Sequence, residues 1–237
     1  MAENYALEWD AAGERQYETG TDRGVVYPLN TTTKEYDSGF AWNGLTGVTK
    51  SPDGADATDV WADNMKYLTL RGAENFGGTI TAYMCPEEFE ILDGTARIAP
   101  GLYAGQQKRG VFGFVWRTRV GNDVQLDDFG YKLHLCYGAT VSPSSRDYKT
   151  VNDNPEAIEL SWEFKCTPVN VSGYRAAATL TLDTTKLTAE EKTRLATLEQ
   201  ILYGTPAGDG VEAVAPRLPL PDEVAAIMNG TNNGGQG

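Results

Sequence analysis

Histidine is nearly absent from this chain and cysteine is scarce: 237 residues carry one His and three Cys. Cys85, Cys136 and Cys166 are odd in number and none belongs to a C-x-x-C pair. They read as reduced, mostly buried thiols of a chain made in a cytoplasm. The three N-x-S/T sequons, at Asn30, Asn170 and Asn229, then have no glycosylation consequence. With one histidine and scattered cysteines, no zinc set of the C-x-x-C or H-E-x-x-H type can be built. A Walker lysine, a G-x-G-x-x-G turn after a strand and a G-x-S-x-G elbow are missing as well. Long apolar runs are also lacking. The stretch from Val111 to Trp116 is among the longest, and Gly113 interrupts it. Crossing a bilayer takes about 20 apolar residues, so no membrane span is expected. The N-terminus is acidic and has no apolar h-region, so no signal peptide is expected either.

Basic charge is the remaining shortage. Twenty Lys and Arg face 33 Asp and Glu, giving a net charge of −13 and a pI near 4.5. Nucleic-acid affinity comes mainly from cationic side chains displacing counterions, so such a surface repels phosphate backbones. Anionic membranes are disfavoured for the same reason. What is present is ordinary globular material, with 41% hydrophobic residues over a length that fits one large domain or two small ones. A chain this long buries a core without metal or disulfide staples.

From about residue 36 to 182 the pattern is β. Its clearest strand is 157–166, where Ile158, Leu160, Trp162, Phe164 and Cys166 alternate with Glu159, Ser161, Glu163 and Lys165. Successive strand side chains point to opposite faces, so this run has one oily and one charged face. Further strands are predicted at 64–71, 79–84, 110–120, 130–141 and 169–182. Turn chemistry separates them at Gly121-Asn122-Asp123, Ser142-Pro143-Ser144 and Asn152-Asp153-Asn154-Pro155. One helix is predicted at 86–93, opened by Pro86 and acids and closed by Gly94. A second runs from Thr188 to Tyr203. Thr188 and Glu191 form a capping box, Leu195, Leu198, Ile201 and Leu202 an apolar stripe, and Gly204 the stop. Three segments are expected: an N-terminal arm (1–35), a mainly β domain carrying a flanking short helix and the C-terminal helix (36–203), and a Pro/Gly-rich arm and tail (204–237). The last has room for one short helix at 222–228.

A search for chemistry returns structural readings. His134 lies on the face opposite Leu133 and Leu135, and a lone strand histidine is structural far more often than catalytic. The acid pairs Glu87/Glu88 and Glu190/Glu191 fall in helical first turns, where the helix dipole favours them. Asp127/Asp128 precede a strand in a turn. Trp42, Trp61, Tyr83, Tyr103 and Trp116 lie in or beside strands, which suits core or subunit-interface packing better than a sugar platform. No catalytic, cofactor-binding or metal-binding residue is assigned, and no enzymatic activity is expected.

Several long stretches, taken in order, carry a resemblance. Asp37-Ser-Gly-Phe-Ala-Trp-Asn-Gly-Leu-Thr-Gly-Val-Thr-Lys-Ser-Pro-Asp-Gly-Ala-Asp-Ala-Thr is followed by Val60-Trp-Ala-Asp-Asn-Met-Lys-Tyr-Leu and Ile80-Thr-Ala-Tyr-Met-Cys-Pro-Glu-Glu-Phe. With Leu180-Thr-Leu-Asp, Gln200-Ile-Leu-Tyr-Gly-Thr and Pro216-Arg-Leu-Pro-Leu-Pro-Asp-Glu-Val, these resemble the major tail protein of long-tailed, siphovirus-type bacteriophages over about residues 36–225. The resemblance implies a tail-tube subunit whose core is a β-sandwich or partly closed barrel. It implies homohexameric rings stacked on a tape-measure protein, with terminator and tail-tip proteins at the ends. Such a tube belongs to the virion, is assembled in the host bacterial cytoplasm and conducts DNA from capsid to host cell during ejection. It needs no cofactor, no membrane and no specific DNA contact. The alternatives from other classes are a glycan-binding β-sandwich module or hydrolase of the tail tip, and a head–tail connector ring protein.

Two expectations follow. The polar stretch 49–63 is long for a loop and is expected to be mobile in the free subunit and to order against the next ring. Its deletion over 51–58 is expected to leave folded monomers that make no tubes. The acidity is uneven, −10 over residues 1–100, +1 over 101–175 and −4 over 176–237. In a tube, a wall poor in cations lets DNA slide without sticking. Asp and Glu are therefore expected to outnumber Lys and Arg on the lumen face.

Overall fold

The computed structural model describes residues 6–7, 9–150, 153, 156–208 and 212–231. The fold is mainly β. In chain order the first strands are β1 (Gln16–Pro28), β2 (Phe40–Trp42), β3 (Leu45–Lys50), β4 (Asp53–Gly54), β5 (Ala57–Ala62), β6 (Met65–Arg71), β7 (Glu74–Asn75) and β8 (Gly77–Ala82). Helix α1 (Glu87–Leu92) follows, then β9 (Ala96–Ala99), β10 (Leu102–Ala104), β11 (Phe112–Asn122), β12 (Leu126–Val141), β13 (Leu160–Cys166) and β14 (Thr179–Asp183). Helices α2 (Ala189–Tyr203) and α3 (Pro221–Asn229) complete the chain.

Eight strands form one antiparallel sheet in the order β2-β1-β11-β12-β13-β8-β3, with β14 pairing β12 beside β13. Its two ends, β2 and β3, are separated in sequence only by Asn43 and Gly44. Two residues span less than about 11 Å of extended chain. The ends of the sheet are thus tied together, and it curls into a partly closed barrel.

Alternation along the central strands sorts side chains to the two sides of this wall. Val26, Phe114, Trp116 and Cys136 point inward, where they meet Trp42, Ile80, Phe89, Trp162 and Phe164. Trp42 packs at 4.3 Å from Phe89 and 5.1 Å from Trp162, ring centre to ring centre. Val25, Tyr27, Val115, Leu133, Leu135 and Tyr137 point outward and are covered by Leu195, Leu198 and Leu202 of α2 and by Val224 and Ile227 of α3. Burial on both faces explains why the stretch around Phe112–Trp116 reads as continuous apolar sequence rather than alternation.

The helices begin where their caps predict. Thr188 Oγ1 accepts from the Glu191 amide at 3.3 Å, and the Glu191 carboxylate accepts from the Thr188 amide at 2.8 Å. Helix α3 starts on Pro221 and ends at Gly230, whose φ of 69° suits a left-handed cap. Helix α1 begins at Glu87 after Pro86.

Four segment expectations are corrected. The stretch 1–35 is not simply an arm, because 13 of its residues form β1, paired along β11. Two register shifts, between Thr19 and Thr21 and between Asp22 and Val25, break the period of two that would have shown the strand. Gly20 and Arg23 take positive φ within these shifts. The stretch 49–63 is not a loop: it ends β3 and supplies β4 and β5. Of 169–182 only the end, 179–182, is strand, within β14 (Thr179–Asp183), and the rest is a turn closed by a single Val169–Ala177 bridge. Finally, residues 204–208 and 212–231 are docked rather than free. The Tyr137 hydroxyl donates to Pro219 O at 3.0 Å, the Arg217 amide donates to Ile201 O at 2.9 Å, and Leu218 is buried. The tail at 232–237, and all but Asp153 of the Asn152–Pro155 turn, lie outside the described residues.

Candidate assembly surface

Between β3 and β8, which pair with each other, the chain makes an excursion that pairs only with itself. β4 pairs β7 at its base and β5 pairs β6 farther out. The tip is the two-residue turn Asp63-Asn64, both at positive φ (51° and 62°), the type I′ geometry that matches strand twist. Six residue pairs at about 3.3 Å rise make β5–β6 a ribbon roughly 20 Å long.

Directly opposed residues share a face, so the register assigns the two sides of the ribbon. Asp59, Trp61, Lys66, Thr69 and Arg71 share one side. There Asp59 accepts from Lys66 Nζ at 2.7 Å and from the Thr69 hydroxyl at 2.8 Å. These partners hold its carboxyl below the usual aspartate range. Val60, Ala62, Met65, Leu68 and Leu70 share the other side. A register shift between Val60 and Trp61 leaves Tyr67 as the extra residue, which keeps Met65 in phase with Leu68 and Leu70. All seven residues of β6 are solvent-exposed, and Met65, Leu68 and Leu70 keep between 38% and 64% of their surface in water. A two-stranded hairpin with a bare apolar face is marginal by itself. Contiguous exposed apolar patches of this kind mark interaction sites.

Further large apolar side chains are exposed on α1 and the β9–β10 hairpin. Ile91 on α1, Ile98 on β9 and Leu102 on β10 are 55–67% exposed. Arg97 and the Tyr103 hydroxyl both donate to the Glu87 carboxylate at 3.0 Å, tying α1 to this small hairpin. Strand edges provide a third kind of surface. The first half of β1 pairs only with β11, and β14 pairs only with β12, leaving one edge of each without a ladder partner among the described strands.

The residues singled out for chemistry have structural surroundings. His134 is 4% exposed, its ring stacked on Trp116 at 5.0 Å. Lys50 Nζ lies 2.9 Å from His134 Nδ1, so Nδ1 must accept. Nε2 then carries the proton and donates to Thr118 Oγ1 at 2.9 Å, and Thr118 donates to the Glu18 carboxylate at 2.5 Å. Lys132 donates to the other Glu18 oxygen at 2.5 Å. Burial, then the nearby Lys50 charge, pushes the imidazole down to about 4. A neutral ring clamped by a lysine donor is a fixed polar plug.

Each acid pair has at least one member in use. Glu87 is bound as above, Asp127 accepts from the Tyr17 hydroxyl at 2.9 Å, and Glu190 and Glu191 serve Arg194 and the α2 cap. Of the aromatics, Trp42 and Trp116 are buried, whereas Trp61, Tyr83 and Tyr103 are exposed. Met65, Leu68 and Leu70 were not singled out in the sequence. Their spacing marks a strand but does not say that nothing covers it. No group of His, Cys, Asp and Glu able to hold a metal occurs among the described residues, and no described helix is long and apolar enough to cross a membrane.

No protein-family model and no curated protein matches the sequence. Among solved structures, the chain is similar to one in the six-fold symmetrised anti-feeding prophage baseplate, at 12% identity and a TM-score of 0.38, over 76% of this chain and 100% of that one. It is also similar to one in the anti-feeding prophage tube-terminating cap, at 8% identity and a TM-score of 0.36, over 77% of this chain and 97% of that one.

Proposed function

We propose that this protein is a non-enzymatic structural subunit of a phage tail, polymerising as stacked hexameric rings into the tube through which DNA passes from capsid to host. The observation that carries this reading is the β5–β6 ribbon, folded as a hairpin yet bare on its apolar face. Full burial of a Leu or Met side chain is worth about 1.5–3 kcal/mol. Met65, Leu68 and Leu70 are roughly half exposed, so each has about 1 kcal/mol still to gain on contact. One such contact is weak. Repeated around a ring it becomes strong, because each added subunit engages several sites at once.

Two different apolar patches on one subunit suit a heterologous contact, the kind that builds rings and open stacks. The ribbon reaches the neighbouring ring, and the surface around Ile91, Ile98 and Leu102 is the receiving patch. Within a ring, the unpaired edge of β1 meets β14 of the next copy, which removes the edges that would otherwise invite aggregation. A tape-measure protein inside the tube and terminator and tail-tip proteins at its ends complete this assembly, which makes the protein a virion component.

Negative-stain microscopy of the purified protein at high concentration tests the reading. Long hollow tubes are expected. Single rings that never stack indicate a connector, and monomers that bind or cleave glycans indicate a tail-tip module; either result overturns the tube assignment.

A further inference from the structure

The sheet forks at β12. Its Lys132–Cys136 part pairs β14, and its Ala139–Val141 part pairs β13. Gly138, at a φ of 60°, lies between the two, and its carbonyl accepts from the Thr167 amide at 2.9 Å. At this fork Cys136 Sγ lies 3.0 Å from Cys166 Sγ. Both thiols are free, Cys136 fully buried and Cys166 half-buried. Cys166 also lines a surface hollow of about 420 Å³, beside Gly77, Phe164 and Lys165. One thiol therefore has a route to small molecules from solvent, and the other touches it from within the core.

We propose that Cys136 and Cys166 form a peroxide-oxidisable dithiol site that closes to an intramolecular disulfide, stapling the fork of the sheet. Hydrogen peroxide oxidises the reachable Cys166 thiol: its S–H and the O–O bond break, an S–OH bond forms, and water leaves. The Cys136 sulfur then attacks the Cys166 sulfur. The S–S bond forms, the S–OH bond breaks, and the Cys136 proton leaves with the hydroxide as a second water. Two electrons pass from the thiols to the peroxide. The hydrogen bond with Cys166, and then burial, raise the Cys136 thiol pKa. That makes Cys136 a poor first target; as the resolving group its small thiolate fraction is offset by its position 3.0 Å from the Cys166 sulfur. The staple would close a loop of 30 residues that contains the irregular β12–β13 connection. A chain that leaves a reducing cytoplasm would gain this lock outside it. The site itself does not depend on the tube reading.

Cys85 is the internal control. Burial pushes its thiol up to about 12, and the thiol donates to Pro86 O at 3.7 Å rather than to another sulfur. The test treats full-length protein with hydrogen peroxide, then unfolds and alkylates it before peptide mapping without reductant. Alkylatable thiols should fall from three to one, with tryptic peptides 133–146 and 166–175 linked, Cys85 unmodified, and full reversal by dithiothreitol. The thermal midpoint should rise by roughly 5–10 °C on oxidation. Cys85→Ser should behave as the parent. Cys136→Ser should let Cys166 proceed to sulfinic acid, and Cys166→Ser should leave Cys136 alkylatable. Three intact thiols under peroxide, a Cys166 sulfinic acid in the parent without a link, a bridge to Cys85, or an unchanged midpoint would overturn the proposal.

Discussion

His134 shows how much a single residue reveals when its neighbours are known. Its ring is neutral when folded because Lys50 donates to Nδ1 and burial disfavours a charge, so its proton leaves at about pH 4. In the unfolded chain the same proton leaves near 6.5. Between those values the unfolded state binds the extra proton, and stability falls as pH drops through this window, by about 3 kcal/mol in all. Glu18, whose carboxyl is held below the glutamate range by Lys132 and Thr118, adds its own loss only lower, below the ordinary glutamate pKa. Urea midpoints at pH 7 and 4.5 check this. His134→Gln, which keeps an acceptor for Lys50 and a donor for Thr118, should remove most of the difference. An unchanged pH response in that variant would assign it elsewhere. The sequence placed His134 on its own strand face, opposite its leucine neighbours. It could not place Lys50, which is 84 residues away.

At the scale of elements, legibility followed local regularity. The α2 cap was readable because Thr188 and Glu191 bond each other three residues apart. β13 was readable because its alternation runs unbroken to Cys166. β1 was hidden by two register shifts, and the β5–β6 turn by its Asp-Asn sequence, which lacks the glycine that usually signals a type I′ hairpin. The ribbon also yields a prediction. Replacing Met65, Leu68 and Leu70 together by Ser removes half-buried apolar atoms, at a cost of about 1 kcal/mol for each site, and leaves the barrel core untouched. Circular dichroism should match the parent and the melting midpoint should drop only modestly, while sedimentation should show assembly lost. A variant that assembles normally would remove the ribbon from the contact.

For the whole molecule, the uneven acidity and the partly closed barrel belong together in one account. A monomer needs neither a bare ribbon nor unpaired strand edges; a subunit built to be joined has a use for both. In the proposed tube, the charge of −13 would favour passage of DNA over retention. Assembled protein should not shift duplex DNA in gels even at about 50 mM salt, where counterion release most favours binding. Retarded DNA that salt releases would point to a cationic lumen instead. Composition made the exclusion legible, but which residues face a lumen depends on neighbouring copies that no single chain contains.

The most direct measurement is a cryo-electron microscopy reconstruction of the polymer formed by the purified protein. A hollow tube is expected, with Met65, Leu68 and Leu70 of one subunit buried against the next ring and Asp and Glu outnumbering Lys and Arg along the lumen. A polymer in which the β5–β6 ribbon stays in solvent, or a lumen lined mainly by Lys and Arg, would contradict the account.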